Sequence, residues 1–169
     1  DISASMPVFV PPNVRFEIDD VEDPWTYSMP FTYIHSRYMA GSIRDWPNLM
    51  SQCFTHLKPG GWVEFQDFDI DYYSLDGSLT PDHALRRWLT ISYGAEEKTG
   101  RSLRPGRYLE QWVRDAGFTD VNIIKTPLPL GRWPKDEKLK KIGLFNWTQL
   151  WDGLQGMSLR LFVDFLGWR

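Results

Sequence analysis

An acidic turn follows the first predicted strand, the alternating segment 14–18. In this turn the carboxylate of Asp20 can accept a hydrogen bond from an exocyclic amine, such as that of adenine. The backbone N–H of Val21 could at the same time serve a neighbouring ring nitrogen. The alternative for an acidic cluster such as 19–23 is a loop that is simply solvated.

A histidine lies at the end of the next predicted strand, and two carboxylates lie in or after the strand that follows it. His35 ends the segment 31–35 and could bind a ligand or act as a base; alternatively, it is a hydrogen-bonded group at a strand end. Glu64 lies in the apolar segment 62–68, where an unpaired buried charge is costly. It therefore either has a structural partner or faces a ligand crevice. With Asp67 beside it, the candidate catalytic residues are His35, Glu64 and Asp67.

Composition and missing motifs exclude several classes of function. The 169 residues carry 19 Lys and Arg against 22 Asp and Glu, with no basic block to bind nucleic-acid phosphates. No apolar run reaches the roughly 18–20 residues of a membrane span. The single cysteine, Cys53, cannot form an internal disulfide or a cysteine-based zinc site, and the three histidines lack metal-ligand spacing. We therefore expect no nucleic acid, membrane or metal as a partner.

The segments between these residues predict the elements that position them. Asp45-Trp46-Pro47 has the N-cap and first-turn proline of a helix, which Lys58-Pro59-Gly60-Gly61 should end. Strands separated by helices favour an α/β class, with a mostly parallel sheet, helices on both faces and additional helices in the C-terminal half. Ligands of such sheets bind beyond the carboxyl ends of the strands. The pattern also predicts a helix from Thr80, a helix over 108–116, a strand over 120–128, and helices over 136–155 and 158–166.

Three segments together resemble the class I S-adenosylmethionine-dependent methyltransferases, and most closely the fungal LaeA-like group, whose best-known member regulates secondary metabolism. They are Phe16–Trp25, Tyr33–Arg37 and Leu57–Glu64. The last is the most specific, because L-K-P-G-G before an apolar strand leads into the fifth strand of that fold. The resemblance covers most of the chain. It implies one partial domain over 1–169 with an incomplete Rossmann-like sheet, in which 136–169 forms a helical cover or lid.

The resemblance also implies cofactor contacts by position. Asp1 matches the acid that binds the ribose hydroxyls of S-adenosylmethionine, and Asp20 the acid that accepts from the adenine amine, with Val21 supplying the backbone N–H beside it. His35 falls where the family's backbone approaches the methionine part of the cofactor. The implied reaction is methyl transfer to a nitrogen, oxygen or carbon of a small-molecule or protein acceptor. Because the sulfonium is already activated, positioning and desolvation matter more than a strong acid or base.

This sequence lacks some segments that the family's domain contains. The family's first strand and glycine-rich turn should precede Asp1, and its last antiparallel strand should follow Arg169. We therefore expect an internal piece of a longer protein, which alone binds S-adenosylmethionine weakly or not at all. Without a visible targeting signal, we expect the cytoplasm or the nucleus as its location.

Two other functions remain as hypotheses. A non-catalytic protein built on the methyltransferase fold could dock a partner through the Leu-, Phe- and Trp-rich stretch 136–169. An NAD-type dehydrogenase shares the general architecture, but the L-K-P-G-G segment and the acidic turn favour the methyltransferase.

Overall fold

In the part of the chain that the structure describes, the sheet is a pair of parallel strands joined by a helix. The computed structural model describes residues 9–169, in which strand β1 covers Phe31–Arg37 and strand β2 covers Leu57–Gln66. Helix α1, Trp46–Thr55, connects the two strands. This order of elements with parallel pairing confirms the predicted α/β class.

The first part of β2 bulges away from its partner. Phe31 pairs with Leu57, but the next paired residue of β1, Tyr33, lies opposite Trp62. The bulge therefore consists of Lys58–Gly61. Beyond it the two strands run in register to their ends.

The two glycines of the bulge are needed for different structural reasons. Gly60 has a φ of +78°, a left-handed conformation that side chains with a Cβ rarely adopt. A Cβ on Gly61 would lie 2.9 Å from the carbonyl oxygen of Lys58 and 3.2 Å from that of Thr32. The prediction that this segment ends α1 was wrong by a few residues: α1 ends at Thr55, and the glycines shape the start of β2.

The start of α1 is the one predicted from the sequence. Asp45 is the N-cap, and its carboxylate accepts the Asn48 N–H at 2.9 Å, while Pro47 occupies the first turn. One face of the helix is apolar and fully enclosed. Its buried cluster consists of Ile43, Trp46, Leu49, Met50 and Cys53.

Helix α3, Leu109–Asp115, completes this core. The indole of Trp112 stacks on that of Trp46 with ring centroids 6.0 Å apart. After the helix, the Phe118 ring meets Phe54 of α1 edge to face at 5.1 Å. The helix predicted over 108–116 is thus present, with bounds one residue shorter at each end.

By its packing, the chain divides into two compact units, 1–69 with 104–121 and 70–103 with 122–169. The second unit contains helix α2, Ala84–Thr99, and helix α4, Glu137–Arg160, which continues into a π-helical turn over Leu161–Phe165. Within it, the Trp88 indole N–H of α2 donates to the Ser158 hydroxyl of α4 at 2.8 Å. Its buried residues include Leu89, Ser92, Ala95, Leu150 and Phe162.

Two predicted strands are wrong. Residues 14–18 and 120–128 alternate between apolar and polar side chains, but neither segment forms a strand. Alternation gives a segment two different faces, whereas a strand also needs a neighbour to complete its backbone hydrogen bonds. Without such pairing, Ile18 is 61% exposed and Ile124 is 82% exposed.

The helix boundaries in the second unit also differ from the prediction. The helix expected from Thr80 begins at Ala84, because Thr80 opens a turn in which its carbonyl accepts the His83 N–H. The two helices expected over 136–155 and 158–166 are one continuous α4 with its π-helical turn. Gly156, between the two predicted helices, lies inside α4 at a modest cost of about 1 kcal/mol.

Candidate functional site

The two faces of the β1–β2 pair differ in character. Ile34 and Val63 lie opposite each other and pack against the buried cluster on α1. Because side chains alternate along a strand, Tyr33, His35 and Glu64 lie on the other face. Those three side chains are exposed.

Tyr33, His35 and Glu64 form a hydrogen-bonded group, which we call the β-face triad. The Tyr33 hydroxyl donates to Glu64 Oε2 at 2.5 Å, and His35 Nδ1 lies 3.1 Å from the same oxygen. The strand register brings about this contact, since His35 lies directly opposite Glu64. The rings of Tyr33 and His35 also stack, with centroids 6.2 Å apart.

These contacts favour the ionised form of the Glu64 carboxyl. The hydrogen bonds from Tyr33 and from His35 lower the pKa of the Glu64 carboxyl, and the bond to Glu64 raises the pKa of Tyr33. Glu64 is therefore an ionised acceptor at neutral pH. Glu64 thus has the structural partners that were one of the two sequence-based alternatives for it. Its side chain, however, is 57% exposed rather than buried.

Asp67 lies just beyond β2 and joins two loops. Its carboxylate accepts the Met39 N–H at 2.6 Å and the Ala40 N–H at 3.1 Å, both from the loop after β1. It also accepts the Phe68 N–H at 2.8 Å. Since backbone donors occupy both oxygens, this geometry favours a positioning role, and the expected catalytic role of Asp67 stays a prediction.

The acidic turn contains Asp20 and Val21. Asp20 Oδ1 accepts the Glu22 N–H at 3.0 Å, which closes the turn and leaves Oδ2 as a further acceptor. The Val21 carbonyl accepts the Trp25 indole N–H at 3.0 Å and the Gln52 amide at 3.3 Å. Within the residues that the structure describes, the Val21 N–H has no acceptor.

Glu22 fixes this turn to the start of α1. Its Oε1 accepts the N–H groups of Arg44 and Asp45 at 2.8 and 2.9 Å. In a strand–helix–strand unit the helix begins on the side of the sheet where the preceding strand ends. The acidic turn is therefore held at the carboxyl end of β1, the side on which ligands of such sheets bind.

The structure thus brings some of the predicted residues together. His35 and Glu64 are in contact, Asp67 lies between the adjacent loops, and Asp20 belongs to a separate turn at the start of α1. Asp1 lies outside the described residues.

Sequence reasoning missed two residues of this site. Tyr33 lies two positions before His35, so the two-residue period of a strand was a usable signal for placing both on one face. Glu22 had no comparable signal, because its partners lie more than twenty residues away in the chain.

Two other kinds of feature are absent from residues 9–169. No group of three or more His, Cys, Asp and Glu side chains there could hold a metal ion. No helix in the same range has the length and apolarity needed to cross a membrane.

Comparison with known proteins identifies relatives over most of the chain. A family model described as a methyltransferase domain matches residues 1–123. The methyltransferase pytC of Aspergillus terreus is 43% identical over 168 residues, covering 99% of this chain and 52% of pytC. The probable methyltransferase tdiE of Emericella nidulans is 35% identical, covering 90% of this chain and 48% of tdiE. The secondary metabolism regulator LAE1 of Cochliobolus heterostrophus is 36% identical, covering 94% of this chain and 52% of that protein.

The chain spans about half the length of the curated relatives it matches. No solved structure matches it significantly.

Proposed function

Because this chain belongs to the methyltransferase domain family, we propose that the protein transfers a methyl group from S-adenosylmethionine to a small-molecule or protein acceptor in fungal secondary metabolism. The observation that carries the proposal is the family match over residues 1–123, which includes the acidic turn and the whole β1–α1–β2 unit. Relatives named as methyltransferases and as secondary metabolism regulators support the same assignment.

The acidic turn fits the adenine part of the proposed methyl donor. Adenine presents an amine that donates beside a ring nitrogen that accepts. Asp20 Oδ2 and the Val21 N–H supply one acceptor and one donor on adjacent residues. We propose that these two groups bind the adenine edge, that Asp1 binds the ribose, and that His35 lies near the methionine part.

The protein's own task is then mainly positioning. When bound, S-adenosylmethionine supplies a methyl group already activated by its sulfonium, so no strong acid is required. Glu22 holds the acidic turn on α1, and Asp67 holds together the loops that follow β1 and β2. Fixed loops at this side of the sheet lower the entropic cost of aligning donor and acceptor.

Calorimetric titration of S-adenosylmethionine into the protein expressed from its complete gene tests this proposal. Asp20→Asn keeps an oxygen for the Glu22 N–H but removes the carboxylate charge and places an amide N–H₂ where the adenine amine should donate. We expect binding to weaken about tenfold, which corresponds to about 1.4 kcal/mol. Asp23→Asn makes the same change in charge on an exposed side chain of the same turn and should leave the affinity unchanged. Equal affinities for the two variants would contradict the assignment of Asp20.

Exposed aromatic side chains on α4 favour a second candidate, a non-catalytic partner-binding role. Phe145 is 72% exposed and Trp151 is 65% exposed, and Trp151 stacks with Trp147 at 5.7 Å. Large exposed aromatic side chains are typical of protein-binding surfaces. The same titration separates the candidates, because a purely partner-binding protein would bind neither S-adenosylmethionine nor its demethylated product.

A further inference from the structure

We propose that Glu64 and Tyr33 position His35 as the base that takes a proton from the methyl acceptor, and that this acceptor is a phenol. The inference rests on the proposed methyl transfer and adds to it the chemical class of the acceptor. It starts from the β-face triad, in which one carboxylate oxygen meets both the Tyr33 hydroxyl and His35 Nδ1.

The triad determines which nitrogen of His35 carries hydrogen. An ionised carboxylate can only accept hydrogen bonds, and Glu64 Oε2 lies 3.1 Å from His35 Nδ1. Nδ1 must therefore bear the hydrogen, so that the neutral ring keeps Nε2 as an unprotonated acceptor. This is the arrangement by which a carboxylate prepares a histidine to act as a general base.

Tyr33 restrains the same carboxylate from a second direction. Its hydroxyl donates to Oε2 at 2.5 Å, so the carboxylate is held in place whether or not His35 moves. The Tyr33 hydroxyl also lies 3.4 Å from His35 Nδ1, so Tyr33 contacts both other members of the triad and is a positioning residue. Among the paired residues of β1 and β2, the charged or titratable side chains that share this face with His35 are those of Tyr33, Arg37 and Glu64.

The proposed step transfers one proton to His35 and one methyl group to the acceptor. The acceptor O–H bond breaks, and its proton goes to His35 Nε2 to give an imidazolium that Glu64 neutralises. The oxygen lone pair forms the new bond to the methyl carbon. The carbon–sulfur bond of the sulfonium donor breaks, and its electron pair stays on sulfur. His35 then loses the proton to solvent, since its side chain is 38% exposed.

Two features favour a phenol over an aliphatic alcohol. A phenol has a pKa of about 10, within reach of an imidazole base, whereas that of an alcohol is several units higher. The indole of Trp62 lies opposite Tyr33 in the register and is 64% exposed. These two adjacent aromatic side chains offer a flat acceptor a surface on which to stack.

Nitrogen-15 NMR of histidine-labelled protein tests the triad without any substrate. The chain has three histidines, and the other two provide internal references. Nδ1 of His56 lies 2.8 Å from the Gln52 carbonyl oxygen and must carry hydrogen, whereas Nδ1 of His83 accepts the Leu85 N–H and must not. We expect the neutral ring of His35 to match His56, and to change to the His83 pattern in Glu64→Gln. A His35 that matches His83 in the unaltered protein would overturn the proposal.

The acceptor class is tested with two isomeric probes, 4-methylphenol and benzyl alcohol, in the complete protein with S-adenosylmethionine. We expect at least about tenfold faster methylation of the phenol. Equal rates, or no methylation of the phenol by protein that binds the donor, would overturn the phenol assignment while leaving the donor site intact. Loss of donor binding would instead count against the proposed function, and the NMR result would still decide the triad.

The rate of phenol methylation separates the triad from a merely structural cluster. Glu64→Gln removes the charged acceptor that keeps hydrogen on His35 Nδ1, so kcat should fall at least about tenfold while the calorimetric affinity for S-adenosylmethionine stays unchanged. Tyr33→Phe keeps the Glu64 carboxylate and should lower kcat less. Tyr38→Phe and Glu97→Gln make the same chemical changes on exposed side chains outside the triad and should leave kcat unchanged. An unchanged kcat in Glu64→Gln would contradict the proposal.

Discussion

Asp67 accepts the Met39 N–H at 2.6 Å, and this bond joins the residue that follows β2 to the loop that follows β1. The same carboxylate accepts the N–H groups of Ala40 and Phe68. Three backbone donors from two loops thus depend on one side chain. In a parallel sheet these loops lie side by side at the carboxyl ends of the strands.

Replacing Asp67 by Ala should destabilise the protein by about 1–3 kcal/mol, because partly buried N–H groups lose their acceptor. Urea denaturation followed by tryptophan fluorescence measures the change. Asp23→Ala removes an exposed carboxylate and should alter the free energy of unfolding by less than about 0.5 kcal/mol. If the two variants were equally stable, the carboxylate of Asp67 would not be holding the loops.

The two glycines of the bulge should respond differently to Ala. At Gly60 a Cβ meets no atom within 4 Å, so Gly60→Ala carries only the backbone cost of a positive φ, about 1–2 kcal/mol. At Gly61 a Cβ would collide with the backbone carbonyl oxygen of Lys58, which cannot rotate away as a side chain would. Gly61→Ala should therefore be the less stable variant in urea denaturation, and the reverse order would contradict the geometry of the bulge.

Cys53 should make stability depend on pH in the alkaline range. Burial raises the pKa of its thiol from an ordinary 9.0 to about 12. Above pH 9 the unfolded thiol loses its proton while the folded one keeps it, so the stability present below pH 9 is lost as the pH rises towards 12. The slope is roughly 1.4 kcal/mol per pH unit.

Comparison with Cys53→Ala isolates this effect from the titration of other groups. The difference in free energy of unfolding between the two proteins should be constant below pH 9 and fall above it. A difference that stays constant to pH 11 would show that the folded thiol ionises normally.

Glu22→Ala should weaken binding of S-adenosylmethionine although the proposed adenine contacts remain. Its side chain holds the acidic turn on the N–H groups of Arg44 and Asp45, so its loss leaves the turn to be ordered during binding. We expect a loss of about fivefold to tenfold in affinity by calorimetry. Glu17→Ala removes a carboxylate before the turn and is the matched control; a similar loss there would point to general charge effects.

Local chemistry explains which parts of the fold could be predicted from the sequence. The start of α1 depends on a bond between Asp45 and a backbone N–H three residues away, so its signal is contained in consecutive residues. Strand β1 was predicted from its β-branched and aromatic residues and is confirmed. Segment 14–18 has an equally regular pattern but no partner strand among residues 9–169, and its own five residues contain no information on that difference.

The candidate site was predictable only in part, for a related reason. His35 was placed at a strand end and Glu64 within the next strand, but their contact depends on a register that the bulge sets. The function of a side chain here depends on its neighbours across the sheet. The contacts of Asp67 were not predictable for the same reason. A carboxylate near a strand end does not reveal which three backbone N–H groups will bind it.

The number of residues in the β2 bulge also determines which face of the sheet each later residue of β2 occupies. Between the first two paired positions β2 holds three more residues than β1, an odd number, so every later residue of β2 lies on the opposite side from where an unbroken ladder would place it. Loss of one residue here with Leu57 held in place would exchange the sides, moving the Glu64 carboxylate towards the buried Trp46 and Phe65 towards solvent. A change of two residues would preserve the sides. Whether the bulge adds an odd or an even number of residues thus decides whether the Glu64 carboxylate is exposed or buried.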